Sequence, residues 1–308
     1  VILSIDEDDL TGFELKPTVD LDAPIDILLD ERATKLKKVL GKIRSTSAEH
    51  MAVEDILELE ELLSELQNRM GGSGLDKWYV PDGPYSIDKL PKHKAFFAAT
   101  RDYRELLILG GNRTSKTSSG CFLSAATATG LLPDWWEGVT FNGPVNNWAI
   151  GSTSKSVKET LQEALLGPLG NFGTGLIPKE CIIRTTAKTG VPGGIGTVYV
   201  KHVPTGGTST IEFMSAEQGT KAFMGAARHI IHIDEPVDEA IYNECLIRTM
   251  TTNGRMIHSV TPKLGLTRML ANFLSDCDLL EGTQEIKGLK MAKAIMELEQ
   301  KERDDANG

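Results

Sequence analysis

Three groups of side chains in this sequence are of the type and spacing needed to handle a polyphosphate. The first is Lys116-Thr117, preceded by the loop Gly110-Gly111-Asn112-Arg113-Thr114-Ser115 and by the apolar run Leu106-Leu107-Ile108-Leu109. A strand-length apolar run, a glycine-containing loop and a Lys-Thr pair opening a helical segment (Cys121, Phe122, Ala125, Ala126) give the order of a phosphate-binding P-loop. Backbone N–H groups of such a loop turn inward toward phosphates, and the helix N-terminus adds positive potential. Lys116 is then the cation for β- and γ-phosphates, and the Thr117 hydroxyl a ligand for Mg²⁺. Ser115 stands where glycine is usual before the lysine; it is small, but resists the positive φ that glycine accepts.

The second group is Asp234-Glu235, which closes the β-branched run His229-Ile230-Ile231-His232-Ile233 and is followed by Pro236. An acid at the carboxyl end of a central strand, opposite a P-loop, suits Mg²⁺ coordination, the role assigned to Asp234. Glu235 is placed to polarise an attacking water, which needs an ionised carboxylate within hydrogen-bond reach. Together with the P-loop, this pair points to ATP hydrolysis. The third group is the arginines Arg113, Arg228 and Arg248, candidate cations for charge developing on the γ-phosphoryl oxygens, with a surface ion pair as the plain alternative for each. Thr261-Pro262 ends a later strand and is a candidate for sensing loss of the γ-phosphate.

These residues require a scaffold of strands alternating with helices. Strands are expected at residues 106–109, 148–150, 229–234 and 254–260, a hairpin at Thr197–Val203 and Thr208–Met214, and helices after Pro91, after Lys116 and near Asp238–Met250. The expected fold is α/β with a mainly parallel sheet covered on both faces, of the P-loop type with an additional strand and a catalytic glutamate, plus an N-terminal helical appendage. The 118 positions from Lys116 to Asp234 leave room for further strands between them. The expected division is an acidic helical region at 1–74, a core at 75–275 and a helical tail at 276–308. Residues 1–24 read as an irregular or partly ordered lead-in. A stripe of Ile56, Leu59, Leu63, Leu66 and Met70 follows, for packing on its own domain or docking a partner. Gly71-Gly72-Ser73-Gly74 reads as a flexible joint. Upstream of the P-loop, Trp78, Tyr79, Tyr85 and His93 are placed either to pack on a nucleotide base or to fill the core.

Composition sets outer limits. The net charge of −10 is uneven: residues 1–70 hold 17 acidic against 8 basic side chains, and the remainder 26 against 25. The core is therefore near neutral, and charge neither excludes nor favours a nucleic-acid partner. No run approaches the ~18 apolar residues of a membrane span, and the acidic first residues do not read as a signal peptide. Cys121, Cys181, Cys245 and Cys277 are too scattered for a metal site and read as reduced thiols.

In combination, these segments resemble the large terminase family, ATP-driven motors that package DNA into viral capsids. Pro91-Lys92-His93-Lys94-Ala95-Phe96 resembles the family's adenine-side motif, with His93 in place of its usual glutamine. Gly110 to Thr117 is similar to its P-loop, arginine included. Ser215-Ala216-Glu217-Gln218-Gly219 and Phe223-Met224-Gly225 resemble the approach to its second acid, and Asn253-Gly254-Arg255-Met256-Ile257 through Thr261-Pro262 its coupling motif. The resemblance spans roughly residues 85–270. It implies ATP and Mg²⁺ as cofactors and Tyr85 and His93 on the adenine side. It also implies double-stranded DNA, a portal protein and a small terminase subunit as partners, a homo-oligomeric (pentameric) ring on the capsid, and the host cytoplasm as location. The 46 residues after Pro262 are too few for the family's nuclease domain, so DNA cleavage is not expected from this chain. A helicase-like translocase and a nucleotide-binding structural or adaptor protein are the alternatives; the first needs a second motor domain, and the second has no use for Glu235.

Lys116→Ala is expected to abolish nucleotide binding or turnover, since the phosphates lose their main cation. Near-normal binding and hydrolysis in a direct assay would remove the P-loop reading.

Overall fold

The computed structural model describes residues 2–5, 74–79, 85–111 and 114–261. Its centre is an eight-stranded sheet. The strands are β1 (Ile2–Ile5), β2 (Glu105–Gly110), β3 (Asn146–Gly151), β4 (Ile182–Ala187), β5 (Ile195–Lys201), β6 (Thr208–Ser215), β7 (Ile230–Asp234) and β8 (Arg255–Val260). They lie in the order β1-β2-β8-β7-β3-β6-β5-β4; the first six are mutually parallel, and β5 and β4 return antiparallel. The central strands read as near-continuous apolar runs because both faces are covered. Leu106 to Leu109, Ile230 to Ile233 and all of β8 are buried.

The principal helices are α1 (Pro91–Asp102), α2 (Lys116–Thr129) and α3 (Glu239–Thr249). From Ser119 to its C-terminus α2 is buried on every side. Its small residues let it lie close to the sheet: a Cβ added at Gly120 would come within 2.3 Å of the His232 ring. Gly130, with φ of 71°, ends α2 in the left-handed conformation open to glycine. One core lies on the α1–α2 side, with Phe96, Phe97, Phe122 and Leu123; a second lies under α3, with Trp148, Phe223, Ile231 and Met256.

The sequence reading fits the P-loop strand, the hairpin, α3 and the mainly parallel sheet, and is corrected at Gly74. The lead-in, expected to be irregular or partly ordered, contributes β1, whose backbone pairs with β2 from Ile2↔Leu107 to Ile5↔Gly110. Gly74, assigned to a flexible joint, opens a short helix (Gly74–Lys77), and its N–H donates to the Gly175 carbonyl at 2.7 Å. The strand lying between β2 and β7 is β8, which follows Asp234 in sequence; the strands that the 118 intervening positions supply lie on the far side of β7. Strand β4 was not anticipated at all. The expected helices before residue 74 and the tail after 275, as well as Cys277, lie outside the described residues.

Two fully buried histidines lie on the adjacent central strands β7 and β8 and face opposite sides of the sheet, His232 toward α2 and His258 toward α3. His232 faces Ser259 (Nε2 to Oγ, 3.0 Å), and the His258 ring packs 5.3 Å from that of Tyr242. Burial depresses both pKa values to about 3, with the neighbouring His232 adding to the shift of His258. The unfolded chain therefore binds protons that the folded one refuses between about pH 6.5 and 3. Their contribution to stability is fully present above pH 6.5 and is lost as pH falls, by up to about 1.4 kcal/mol per unit for each ring. Denaturant unfolding at pH 7.5, 6 and 5 is expected to show this decline; flat stability across that range would contradict neutral burial.

Candidate active site

The register of the parallel strands brings the chemistry to one edge. Gly151 pairs with Asp234, Asp234 with Ser259, and Leu109 with Val260. The P-loop after β2, Thr261 after β8, Asp234-Glu235 after β7 and Ser152 after β3 therefore all emerge at the carboxyl ends of the strands, where open α/β sheets bind ligands. Since β8 intervenes, β2 and β7 lie roughly 10 Å apart. Side chains close this gap: the Thr117 hydroxyl donates to Asp234 Oδ1 at 2.6 Å. A cleft of about 270 Å³ is lined by Lys116, Thr117, Ser152, Ser156, Thr160, Asp234, Glu235 and Thr261.

Lys116 Nζ donates to the Gly111 carbonyl and to Thr114 Oγ1, so its ammonium is folded over the loop it belongs to. Thr114 in turn donates to the Gly111 carbonyl at 3.0 Å. Ser115 has φ of 57° and ψ of 16°, the left-handed conformation reserved mainly for glycine. Its carbonyl accepts from the Ser119 N–H (2.9 Å) and the Ser119 hydroxyl (3.0 Å), which fixes the entry into α2.

Asp234 is mostly buried, and burial raises its pKa, opposed by the Thr117 hydrogen bond and the Lys116 charge. A carboxylate under that desolvation, beside a hydroxyl, is a donor pair suited to a divalent cation. No cluster of three or more acidic, histidine or cysteine side chains forms a metal site among the described residues. A cation here would complete its shell with phosphate oxygens and water, as Mg²⁺ characteristically does. Glu235 also has a positive φ, 72°. Its N–H donates to the Ser259 carbonyl at 2.8 Å, and its Oε2 accepts from the Thr261 N–H at 3.3 Å. The acid thus connects the ends of β7 and β8. Beneath the loop, the Ser259 hydroxyl donates to the Lys116 carbonyl at 3.3 Å and meets His232 on its other side.

Gly110, Gly111, Thr114, Ser115, Lys116, Thr117, Asp234, Glu235 and Thr261 are therefore gathered as the sequence implied. Asn112, Arg113 and Pro262 lie outside the described residues. His93 departs from its expected place. It is 1% exposed, with Nδ1 2.6 Å from the Tyr79 hydroxyl and 3.2 Å from Ser119 Oγ. The α1 face that carries it is the one that buries Phe96 and Phe97, so His93 supports the base of the P-loop instead of facing a nucleobase. Tyr85 stacks on Trp78 at 4.7 Å.

Arg228 and Arg248 are placed away from the other predicted site residues. Arg228 lies two residues before β7, roughly 20 Å along the strand direction from Asp234. Its N–H donates to the carbonyl of Arg248, in the last turn of α3, at 2.8 Å. Arg228 pairs with Glu212 (2.9 Å) and lies 4.4 Å over the Trp148 ring. Arg248 pairs with Glu244 (3.1 Å) and donates to the Gly225 carbonyl. Both arginines belong to the packing of the opposite sheet edge and do not enter their own chain's cleft. Ser152, Ser156 and Thr160 were missed as cleft residues; the only signal was the run of hydroxyls following β3.

Sheet order and cleft together define an α/β protein in which a glycine-containing loop and its Lys116-Thr117 pair face two acids, Asp234 and Glu235. Comparison with known proteins narrows this. No family model matches the chain. It is 29% identical over 247 residues to the large terminase subunit of Salmonella phage P22, a match covering 74% of this chain and 48% of that protein. The chain is a homologue of large terminase subunits, and spans about half the length of this relative. Solved structures to which part of the chain is matched include the large terminase of the thermophilic bacteriophage D6E (15% identity, 59% of this chain and 36% of that one, TM-score 0.38). The ATPase domain of the Thermus phage P74-26 large terminase is comparable (16%, 59% and 68%, TM-score 0.38).

Ser115→Gly is expected to stabilise the protein. The left-handed conformation costs a non-glycine residue about 1–2 kcal/mol, partly offset by glycine's greater freedom in the unfolded chain. Denaturant unfolding should show a gain of up to about 1 kcal/mol. A loss of that size would mean that the serine side chain holds the loop.

Proposed function

We propose that this chain is the ATPase part of a viral DNA-packaging motor of the large-terminase type, built on a P-loop fold with an additional strand and a catalytic glutamate. Its ATP hydrolysis would drive double-stranded DNA into a preformed capsid. The observation that carries the hydrolase reading is the 2.6 Å bond from Thr117 to Asp234 across the inserted strand β8, with Lys116 and Glu235 lining the same cleft. Homology to the large terminase subunit supports the packaging role. Double-stranded DNA, a portal protein, a small terminase subunit and further copies of this chain in a ring are the corresponding partners.

In this reading Lys116 exchanges its contacts to Gly111 and Thr114 for oxygens of the β- and γ-phosphates. Thr117 and Asp234 would hold Mg²⁺, which supplies positive charge to the phosphate oxygens. Glu235 accepts a proton from water as the water oxygen bonds to the γ-phosphorus. The bond from that phosphorus to the bridging oxygen breaks, and ADP and phosphate leave. Because Glu235 Oε2 accepts from the Thr261 N–H, a change in the acid's engagement is felt at the end of β8. Thr261, with Pro262 after it, is thus suited to pass the nucleotide state onward. Such transmission requires that Thr261 make different contacts in the two nucleotide states.

Glu235→Gln tests the chemistry. It keeps the shape and can still accept from Thr261, but cannot take a proton; hydrolysis should fall about 10²–10⁴-fold. Binding of Mg²⁺ and ATP, followed with a fluorescent nucleotide, should remain near that of the parent. Equal loss of binding would make Glu235 a structural or metal-binding group. DNA-stimulated turnover by the parent chain would support the motor reading, whereas turnover indifferent to DNA would count against it.

A further inference from the structure

One wall of the cleft has no part in the reading above. It is made by Ser152, Ser156 and Thr160, all from the segment that follows β3. The pairing of Gly151 with Asp234 sets Ser152 and Glu235 at the same level on adjacent strands.

The local structure of this segment is built to present hydroxyls. Ser156 Oγ accepts from the Thr153 N–H (3.1 Å) and donates to the Thr153 carbonyl (2.9 Å), while the Ser156 N–H donates to Thr153 Oγ1 (3.0 Å). This reciprocal cap uses up the Ser156 hydroxyl and fixes the turn beside Ser152, whose Oγ lies 3.4 Å from it. The helix then widens into a π-helical turn, Val157–Gln162, before one α-turn, Glu163–Leu166. Such turns are rare and recur at functional sites. Its inner side is anchored: Val157 and Leu161 are buried, and Gln162 bonds the Gly193 carbonyl (3.1 Å) and the Ile195 N–H (2.8 Å).

Thr160 is on the outer side. A helical threonine commonly gives its hydroxyl to a carbonyl one turn back, as Thr127 and Thr129 do in α2 at 2.7 and 2.8 Å. Among the described residues Thr160 makes no such bond, and it lines the cleft. An anchored turn of unusual width therefore carries an uncommitted hydroxyl across from Glu235.

We propose that the Thr160 and Ser152 hydroxyls meet the terminal-phosphate end of the bound nucleotide and hold the attacking water against Glu235. This rests on the hydrolase reading of the same cleft. A neutral hydroxyl cannot remove the water's proton; it fixes the water's position, so its loss costs less than loss of Glu235.

The test is steady-state ATP hydrolysis by the whole chain and its Thr160→Val, Thr160→Ser and Ser152→Ala variants, with unfolding midpoints measured alongside. Thr160→Val keeps the shape and deletes the hydroxyl. The expected result is a fall in kcat of about 10–100-fold with KM within about threefold, by the usual effect of losing one positioned hydrogen-bond donor or acceptor. Thr160→Ser should recover kcat to within a few-fold, Ser152→Ala should lower it less than Thr160→Val does, and unfolding midpoints should stay together. A kcat for Thr160→Val within twofold of the parent, or a Thr160→Ser variant as impaired as Thr160→Val, would overturn the proposal. A parent chain that binds ATP but shows no hydrolysis would overturn the hydrolase reading itself, and this inference with it.

Discussion

A buried carboxylate has to reach the first turn of a helix that starts two strands away. The 2.6 Å contact between Thr117 and Asp234 is the narrowest requirement in the molecule, and much else follows from it. Desolvation raises the proton affinity of Asp234, so an ionised acid there needs the Thr117 hydroxyl and the Lys116 charge nearby. Those partners hold their places only if β2, β8 and β7 end at the same level, which their continuous parallel register provides. The close seat of α2 on the sheet, which leaves no room for a side chain at Gly120, holds the helix start within reach of the acid.

A polar relay supports the loop from beneath. Tyr79, His93 and Ser119 share hydrogen bonds under α2, and Ser119 binds the Ser115 carbonyl. From the sheet side, His232 and Ser259 reach the Lys116 carbonyl. These groups are all buried, where an unpaired polar atom would cost roughly 1–3 kcal/mol. The loop's strained backbone at Ser115 is thus held by satisfied neighbours on both sides, a condition under which such strain persists.

The local parts of this site were legible because each has a strong signature. Leu106 to Leu109 and Ile230 to Ile233 are apolar runs that only a doubly covered strand needs, and the residues at their ends declare the chemistry. The positive φ of Ser115 could be foreseen from glycine's usual place there. Strand β4 was hidden because it is an edge strand: Arg184, Thr185 and Thr186 carry no apolar alternation, and glycine-rich segments surround them. Strand β1 was masked by the acidic residues after it. An additional strand was expected, but nothing local in Arg255–Val260 says that this is the one that inserts between two earlier ones. The place of the arginines was equally illegible: a strand carries its two ends to opposite edges of the sheet, so Arg228 lies at the edge away from Asp234.

The position of β8 also governs the order in which the domain can be made. It is central in space yet last of the eight strands in sequence. A chain growing from its N-terminus presents β2 and β7 with open, apolar edges until residues 255–260 have left the ribosome. Parallel pairings between such distant segments are slow to form, and the unpaired edges are exposed to other chains meanwhile. Synthesis of this domain therefore passes through a late interval of vulnerability, ended by the insertion of one six-residue strand. The same step brings Thr261 beside Glu235 and completes the cleft, so the cleft exists only in a chain that has already closed its sheet.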